Sequence, residues 1–168
     1  MTNEEWSTSD SAPEMLKALY LKDPAYFTTR GNDLHRYLIA CCWQIKHLIP
    51  QQGLREGLKG VSDWIDGRIT ADEFRRLDWY AEADCFMLSY ARTPEDFNEI
   101  QAIIANIEAL KTMTFEKAKD TLKVAAYFTN HVMVHPTTRS SPFLSKFFSS
   151  PFLCPDLLRD TIEVSFDN

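Results

Sequence analysis

Glycine is scarce in this sequence, with only five residues among 168. Tight turns use glycine because it reaches left-handed backbone conformations without steric cost. The scarcity therefore argues against a turn-rich, all-β protein. Long apolar runs are missing too: the longest, YLIACCW at 37–43, falls far short of the ~20 residues that a membrane-spanning helix needs. We therefore expect no contact with a membrane.

An excess of positive charge and an apolar leader are also missing. The net charge is −6, whereas binding to nucleic acid needs a positive face that displaces counterions. The N-terminal stretch MTNEEWSTSD is acidic and lacks the apolar core of a signal peptide. We expect all four cysteines to be reduced; they are Cys41, Cys42, Cys85 and Cys154. The sequence thus predicts a cytoplasmic protein that does not bind nucleic acid.

Catalytic motifs are the third absence. The chain has no G-x-S-x-G, no Walker loop and no G-x-G-x-x-G, and no glutamate is followed by histidine three residues later, as di-iron bundles require. Asp78 and Glu82 lie four residues apart and could share acid–base chemistry if they were buried. Arg75 and Arg76 nearby favour surface charge pairing instead. The sequence therefore predicts no catalytic residue and leans against an enzyme.

Helical periodicity is the main positive signal. Apolar residues recur at helical spacing from Asp33 onward, and no alternating strand pattern competes with them. We predict an all-α protein with a helical bundle over 33–135, inside a single domain over 1–168. A short N-terminal helix, capped by Ser11, and a connector would fill 1–32. The five main helices are predicted at about 33–49, 53–66, 71–90, 94–111 and 115–134.

The segment 136–168 has a different composition, and the pentapeptide SSPFL occurs in it twice. Pro142, Pro151 and Pro155 rule out one continuous helix. The segment is either an irregular apolar belt packed on the bundle or an exposed arm that binds a partner. Large exposed apolar patches are rare on soluble proteins, which favours the belt. In the second case the partner-binding residues would be Phe143, Leu144, Phe147, Phe148, Phe152 and Leu153.

The stretch SDWIDGRITADEF, which begins at Ser62, resembles the second half of a calcium-binding loop. Gly67 would hold position 6 and Glu73 the bidentate position 12. However, positions 1 and 3 would be Ser62 and Trp64, and an indole ring offers calcium no oxygen. We therefore predict no calcium site. The same residues suit a helix that ends at Gly67 and another that begins with a Thr70–Glu73 capping box.

Two histidines have a spacing that suits a metal site. His131 and His135 lie four residues apart, as in a helical metal-binding pair. The glutamate of a zincin motif is absent because residue 132 is valine, and Pro136 biases His135 away from helical geometry. Histidine is also favoured at a helix C-terminus by the helix dipole. We predict no cofactor, and a metal-binding enzyme or sensor that uses His and Cys ligands is kept as the alternative.

Several short motifs resemble a family of uncharacterised bacterial proteins that is abundant in planctomycetes. Members begin with Met-Thr-Glu-x-x-Trp and continue with a Met-Leu helix, an Ala-Cys-x-Cys-Cys-Arg helix, an Ala-Asp-Gly turn and a near-terminal Leu-Leu-Arg-Asp. The matching residues here are Trp6, Met15-Leu16, Ala40-Cys41-Cys42, His47-Leu48, Asp66-Gly67 and the LLRD at 157–160. The resemblance covers about the first ninety residues, and more weakly the end.

The chain also departs from the family pattern. Ile39 stands in place of the first cysteine, Trp43 replaces the arginine, and EVSFDN replaces the Gly-Asn-Pro-Phe ending. The cysteine pair of the family suggests a metal or redox role, but the loss of one cysteine here favours a packing role. The resemblance implies no activity. We therefore expect a non-enzymatic protein-interaction or regulatory module that binds a protein partner, for example a basic one through its acidic surface, or associates with itself.

Overall fold

The computed structural model describes residues 1–133 and 150–166. Within these ranges the chain forms eight α-helices and no strand, which confirms the predicted all-α class. The residues Phe143, Leu144, Phe147, Phe148 and His135 lie outside the described ranges. The helices are α1 Asn3–Thr8, α2 Ala12–Lys22, α3 Gly31–Gln44, α4 Gln52–Ile65, α5 Ala71–Tyr90, α6 Pro94–Ala105, α7 Phe115–Met133 and α8 Pro155–Thr161.

Two of the predicted helices end earlier than expected. The helix predicted at 33–49 stops at Gln44 and continues as a 3₁₀ turn, Lys46–Leu48. Pro50 lacks an amide hydrogen and crowds the preceding turn, so the last residues tighten into 3₁₀ geometry. The helix predicted at 94–111 stops at Ala105. The Asn106 side chain bonds the carbonyl oxygen of Ala102 at 2.9 Å, and such local bonds compete with a continuing helix.

The contacts divide the chain into two compact units. The first unit comprises residues 1–43 together with the described part of the C-terminal segment, and it contains α1, α2, α3 and α8. The second unit is Gln44–Met133 and contains α4 to α7. The bundle predicted over 33–135 includes residues of both units, because α3 groups with the helices near the two ends of the sequence. A single domain over 1–168 stays a prediction.

Arg159 of α8 holds the first unit together. Its guanidinium donates hydrogen bonds to the carbonyl oxygens of Trp6 at 3.1 Å and Ser9 at 2.8 Å. Nearby, the amide of Phe166 donates to the Asn3 side chain at 2.7 Å, and the rings of Trp6 and Phe166 lie 5.3 Å apart. These bonds satisfy backbone groups at the end of α1 and tie α8 and the residues after it to the N-terminal helices.

Three glycines let the helices of the second unit approach closely. Gly53, Gly57 and Gly60 lie on one face of α4, and α5 packs on that face. A Cβ atom at Gly57 would come within 2.9 Å of the Ala81 Cβ, and one at Gly60 within 2.4 Å of Leu77 Cδ1. Leu54, Leu58 and Val61 of α4 are fully buried, whereas Trp64 and Ile65 near its end are half-buried.

Asp84 of α5 caps the beginning of α4. Gln51, at the N-cap position, makes no side-chain capping bond, and the amide of Gly53 instead donates to the Asp84 carboxylate at 2.7 Å. A carboxylate is also favoured there by the positive end of the helix dipole. The two helices are therefore joined by a polar contact as well as by close packing.

Candidate functional site

The calcium-like stretch has the helix-cap structure that the sequence predicted. Gly67 follows α4 with a φ of 71°, and Thr70 forms a capping box with Glu73 at the start of α5. Arg68 reaches back to the carboxylates of Asp63 and Asp66, each at 2.7 Å. The helix-cap prediction is confirmed, and a guanidinium is already bound to the carboxylates beside the turn.

His131, the only described member of the predicted histidine pair, is half-buried near the end of α7. Its Nδ1 atom lies 2.6 Å from the carbonyl oxygen of Tyr127. No group of three or more His, Cys, Asp or Glu side chains that could hold a metal occurs within 1–133 and 150–166. Metal binding by His131 and His135 therefore stays a prediction.

The four cysteines all lie in the described ranges, and none of them forms a disulfide. Burial raises the pKa of the Cys41 thiol to about 11. Burial, together with the negative charge of Glu82, raises the pKa of Cys85 to about 12. The thiolate is the reactive form of cysteine, so these two residues stay protonated and inert at neutral pH.

An exposed aromatic face on α5 is the most unusual surface feature of the second unit. The buried stripe of this helix is formed by Phe74, Ala81, Cys85 and Leu88. Successive residues of an α-helix are about 100° apart around its axis. A second set of apolar residues is centred about 160° around the axis from the buried stripe, and it spans about 60°. Trp79 is 66% exposed and Tyr90 is 62% exposed. We name this set the outer face of α5; it consists of Trp79, Ala83, Phe86 and Tyr90.

Neighbouring rings extend the outer face on both sides. Tyr80 is 60% exposed, and its ring meets that of Trp79 edge-on, with the centroids 5.2 Å apart. Phe86, which is half-buried, contacts the ring of Tyr90 at 5.8 Å and that of Tyr127 on α7 at 5.9 Å. Edge-to-face and tilted contacts at these distances are favourable for aromatic pairs. The outer face is thus part of a continuous aromatic surface over α5 and α7.

Tyr127 is held in place by several contacts. Its hydroxyl lies 2.9 Å from the Ser89 hydroxyl, and the ammonium group of Lys123 lies 5.9 Å from the centre of its ring. The ring of His131 is its neighbour at 6.5 Å. The aromatic surface therefore has a fixed edge along α7, and polar groups border it.

The charges beside the outer face nearly balance. Arg75 and Arg76 are exposed near the N-terminal end of α5, and Arg75 pairs with Asp72 at 2.7 Å. Glu73 is exposed on the same turn, and Glu82 is exposed nearer the C-terminal end. The chain's net charge of −6 is therefore not concentrated on this face.

The described part of the predicted partner-binding arm lies in the first unit. Phe152 and Leu153 are half-buried just before α8, and Leu158 and Ile162 beyond them are buried. A cleft of about 570 Å³ lies nearby, lined by α1 and the residues from Arg159 onward. The Arg159 guanidinium is already bonded to two backbone carbonyls and to Asp156. Besides Arg159, the polar residues Ser7, Glu163 and Ser165 line this cleft.

Sequence reasoning missed the outer face, because it assigned the aromatic residues of α5 to no particular face of the helix. The signal was present in the spacing. Trp79, Ala83, Phe86 and Tyr90 follow one another at intervals of four, three and four residues, out of phase with the core stripe. Two apolar stripes on one helix predict either burial on all sides or a second surface that meets a partner.

Comparisons with known proteins place no relative beside this chain. No family model, no curated protein and no solved structure matches it. The resemblance to the planctomycete family stays a prediction. Among the described helices, none is both long enough and apolar enough to cross a membrane.

Proposed function

We propose that this chain is a non-enzymatic, cytosolic protein-interaction or regulatory module that binds a protein through the outer face of α5. The observation that supports the proposal most directly is the exposure of Trp79 at 66% and of Tyr90 at 62% on one strip of α5. Tryptophan and tyrosine are enriched among the residues that contribute most to binding at protein interfaces. A strip of this kind is chemically suited to recognition.

The arrangement of the rings supports binding rather than chance exposure. Large apolar patches are uncommon on proteins that have no partner. Here Phe86 contacts both Tyr90 and Tyr127, so these rings are partly ordered before a partner arrives. Ordering side chains in advance lowers the entropy that binding would otherwise lose. The charged residues beside the strip provide the polar rim that interfaces have around an apolar centre.

The test compares the protein with Trp79→Glu and with a matched control, Leu21→Glu. Leu21 is 74% exposed on α2 of the first unit, so both substitutions place a carboxylate on an exposed apolar position. The three proteins are immobilised and exposed to native lysate, and captured proteins are identified by mass spectrometry. One captured protein is then purified and its affinity is measured by calorimetry.

We expect the purified partner to bind the protein and Leu21→Glu equally, and to bind Trp79→Glu at least about 30-fold more weakly, as for a residue that dominates an interface. Circular dichroism would confirm that all three proteins are folded. Equal affinity for Trp79→Glu and the unchanged protein would contradict the proposal, as would the capture of no protein at all.

A further inference from the structure

The outer face of α5 is self-complementary in its spacing. The intervals of four, three and four residues read the same in both directions along the helix. A two-fold interface requires that if residue i contacts residue j, then j also contacts i. When two copies of α5 are laid antiparallel about an axis between Asp84 and Cys85, Trp79 faces Tyr90 of the second copy and Ala83 faces Phe86 of the second copy.

On the basis of the proposed function, we propose that the protein bound at this face is a second copy of the same chain, with the two α5 helices antiparallel. Side-chain size supports this pairing. The small Ala83 side chain leaves room for the Phe86 ring of the second copy, and alternation of small and large residues lets facing helices interdigitate. Trp79 and Tyr90, at the two ends of the strip, form aromatic pairs with each other across the interface.

The residues flanking the strip fit the same arrangement. Tyr80 and Met87 lie on one side of the strip. In an antiparallel pair, Tyr80 of one copy comes beside Met87 of the second copy. Sulfur–aromatic contacts of this kind are favourable. The match therefore extends past the four residues of the outer face.

Charge selects the antiparallel direction. In a parallel pair, Arg75 and Arg76 of one copy would lie beside the same two arginines of the other. Like charges in register destabilise such a pairing. The antiparallel pair separates the arginines by the length of the strip and opposes the two helix dipoles favourably.

The rest of the second unit leaves this face open. The helices α4 and α7 pack on the other sides of α5, and Tyr127 of α7 borders the strip without covering it. Trp79, Ala83 and Tyr90 are exposed on the strip, and Phe86 is half-buried beside Tyr127.

Sedimentation velocity at protein concentrations of roughly 1–200 µM tests the proposal, because this range spans the dissociation constants of small homodimer interfaces. The purified full chain should shift from its monomer mass of 19.4 kDa towards twice that mass. Ala83→Glu places a carboxylate in the middle of the strip, at an exposed helical position where folding should be unaffected. We expect it to weaken self-association at least about 30-fold, while Leu21→Glu associates like the unchanged protein.

A mixing experiment distinguishes this interface from any other. Ala83→Glu and Ala83→Lys should each be monomeric, whereas an equimolar mixture should form the heterodimer, because the two-fold axis brings residue 83 of both copies close together. Native mass spectrometry separates the species. A dimer that Ala83→Glu leaves intact, or a mixture that stays monomeric, would overturn the proposal.

The outcome also separates this inference from the proposed function. If the unchanged protein stays monomeric over the whole range but captures a different partner in a Trp79-dependent manner, the second copy is ruled out and the interaction surface stands. If neither self-association nor Trp79-dependent capture is observed, both fail.

Discussion

Burial dominates the chemistry of individual cysteine residues in this protein. Cys85 is fully buried, and burial raises the pKa of its thiol to about 12, compared with an ordinary value of 9.0. In the unfolded chain the same thiol loses its proton near the ordinary value. Between these two values the folded protein therefore binds more protons than the unfolded one, and its stability falls as the pH rises.

This difference gives a prediction for single residues. We expect the free energy of unfolding to decrease above pH ~9, by about 1 kcal/mol at pH 10 for Cys85 alone. Urea unfolding of the protein and of Cys85→Ala at pH 7 and pH 10 measures it, and the alanine variant should lose less stability between the two pH values. An equal loss in Cys85→Ala would show that this thiol is not the cause.

Single residues also show where sequence reasoning stopped. The apolar character of Trp79 and Tyr90 was evident, but an apolar residue on a helix is more often buried than exposed. Which of two apolar stripes faces the core depends on the neighbouring helices. That choice is made by the glycine face of α4, whose close contact with Ala81 fixes the rotation of α5.

At the scale of helices, the sequence predicted a helix end correctly wherever neighbouring residues form a cap or a turn. The capping box of Thr70 with Glu73 gave the start of α5, and its predicted bounds of 71–90 match the helix Ala71–Tyr90. The predicted ends of α3 and α6 were too late because 3₁₀ turns continue the apolar pattern after the α-helical hydrogen bonds have ended. Periodicity alone does not distinguish the two kinds of turn.

The packing of α4 on α5 yields a prediction about pairs of helices. Alanine is favoured over glycine in a helix by about 1 kcal/mol, so both Gly57→Ala and Gly60→Ala gain intrinsic helix stability. At Gly60, however, the new methyl group meets only the flexible end of Leu77. At Gly57 it meets the flexible end of Met133 and also the Ala81 Cβ, which cannot move without the backbone. We expect Gly57→Ala to destabilise the protein by about 1–3 kcal/mol and Gly60→Ala by clearly less.

Urea unfolding of the two variants under the same conditions gives the comparison. Lys59→Ala, an exposed position on the same helix, controls for general effects of substitution in α4. The close-packing account would be wrong if Gly60→Ala were as destabilising as Gly57→Ala, or if both were neutral.

At the scale of the whole molecule, the first unit depends on contacts between residues that are about 150 positions apart. The bonds from Arg159 to the carbonyl oxygens of Trp6 and Ser9 span 153 and 150 positions. No local sequence pattern predicts such contacts, because they depend on how the helices pack together and not on the residues next to Arg159 in the sequence. Sequence reasoning therefore favoured a C-terminal belt packed on the bundle, but it did not predict the contacts of this segment with the N-terminal helices.

Arg159→Lys tests how much these bonds stabilise the first unit. Lysine keeps the charge but loses the planar fork with which arginine binds two carbonyls and a carboxylate at once. We expect a loss of about 1.5–3 kcal/mol, the range for hydrogen bonds to charged groups, measured by urea unfolding. Arg92→Lys, at an exposed position, should be within about 0.5 kcal/mol of the unchanged protein. An equally small effect at Arg159 would contradict a stabilising role.

The same bonds have a consequence during synthesis. A chain emerges from the ribosome in order, and domains generally fold as their residues become available. All of Gln44–Met133 has been synthesised before Arg159 is added, so the second unit can fold first. At that stage the carbonyl oxygens of Trp6 and Ser9 do not yet have Arg159 as their hydrogen-bond donor. Trp6 and Ser9 are therefore translated before the second unit, but their hydrogen bonds to Arg159 form after it has been made.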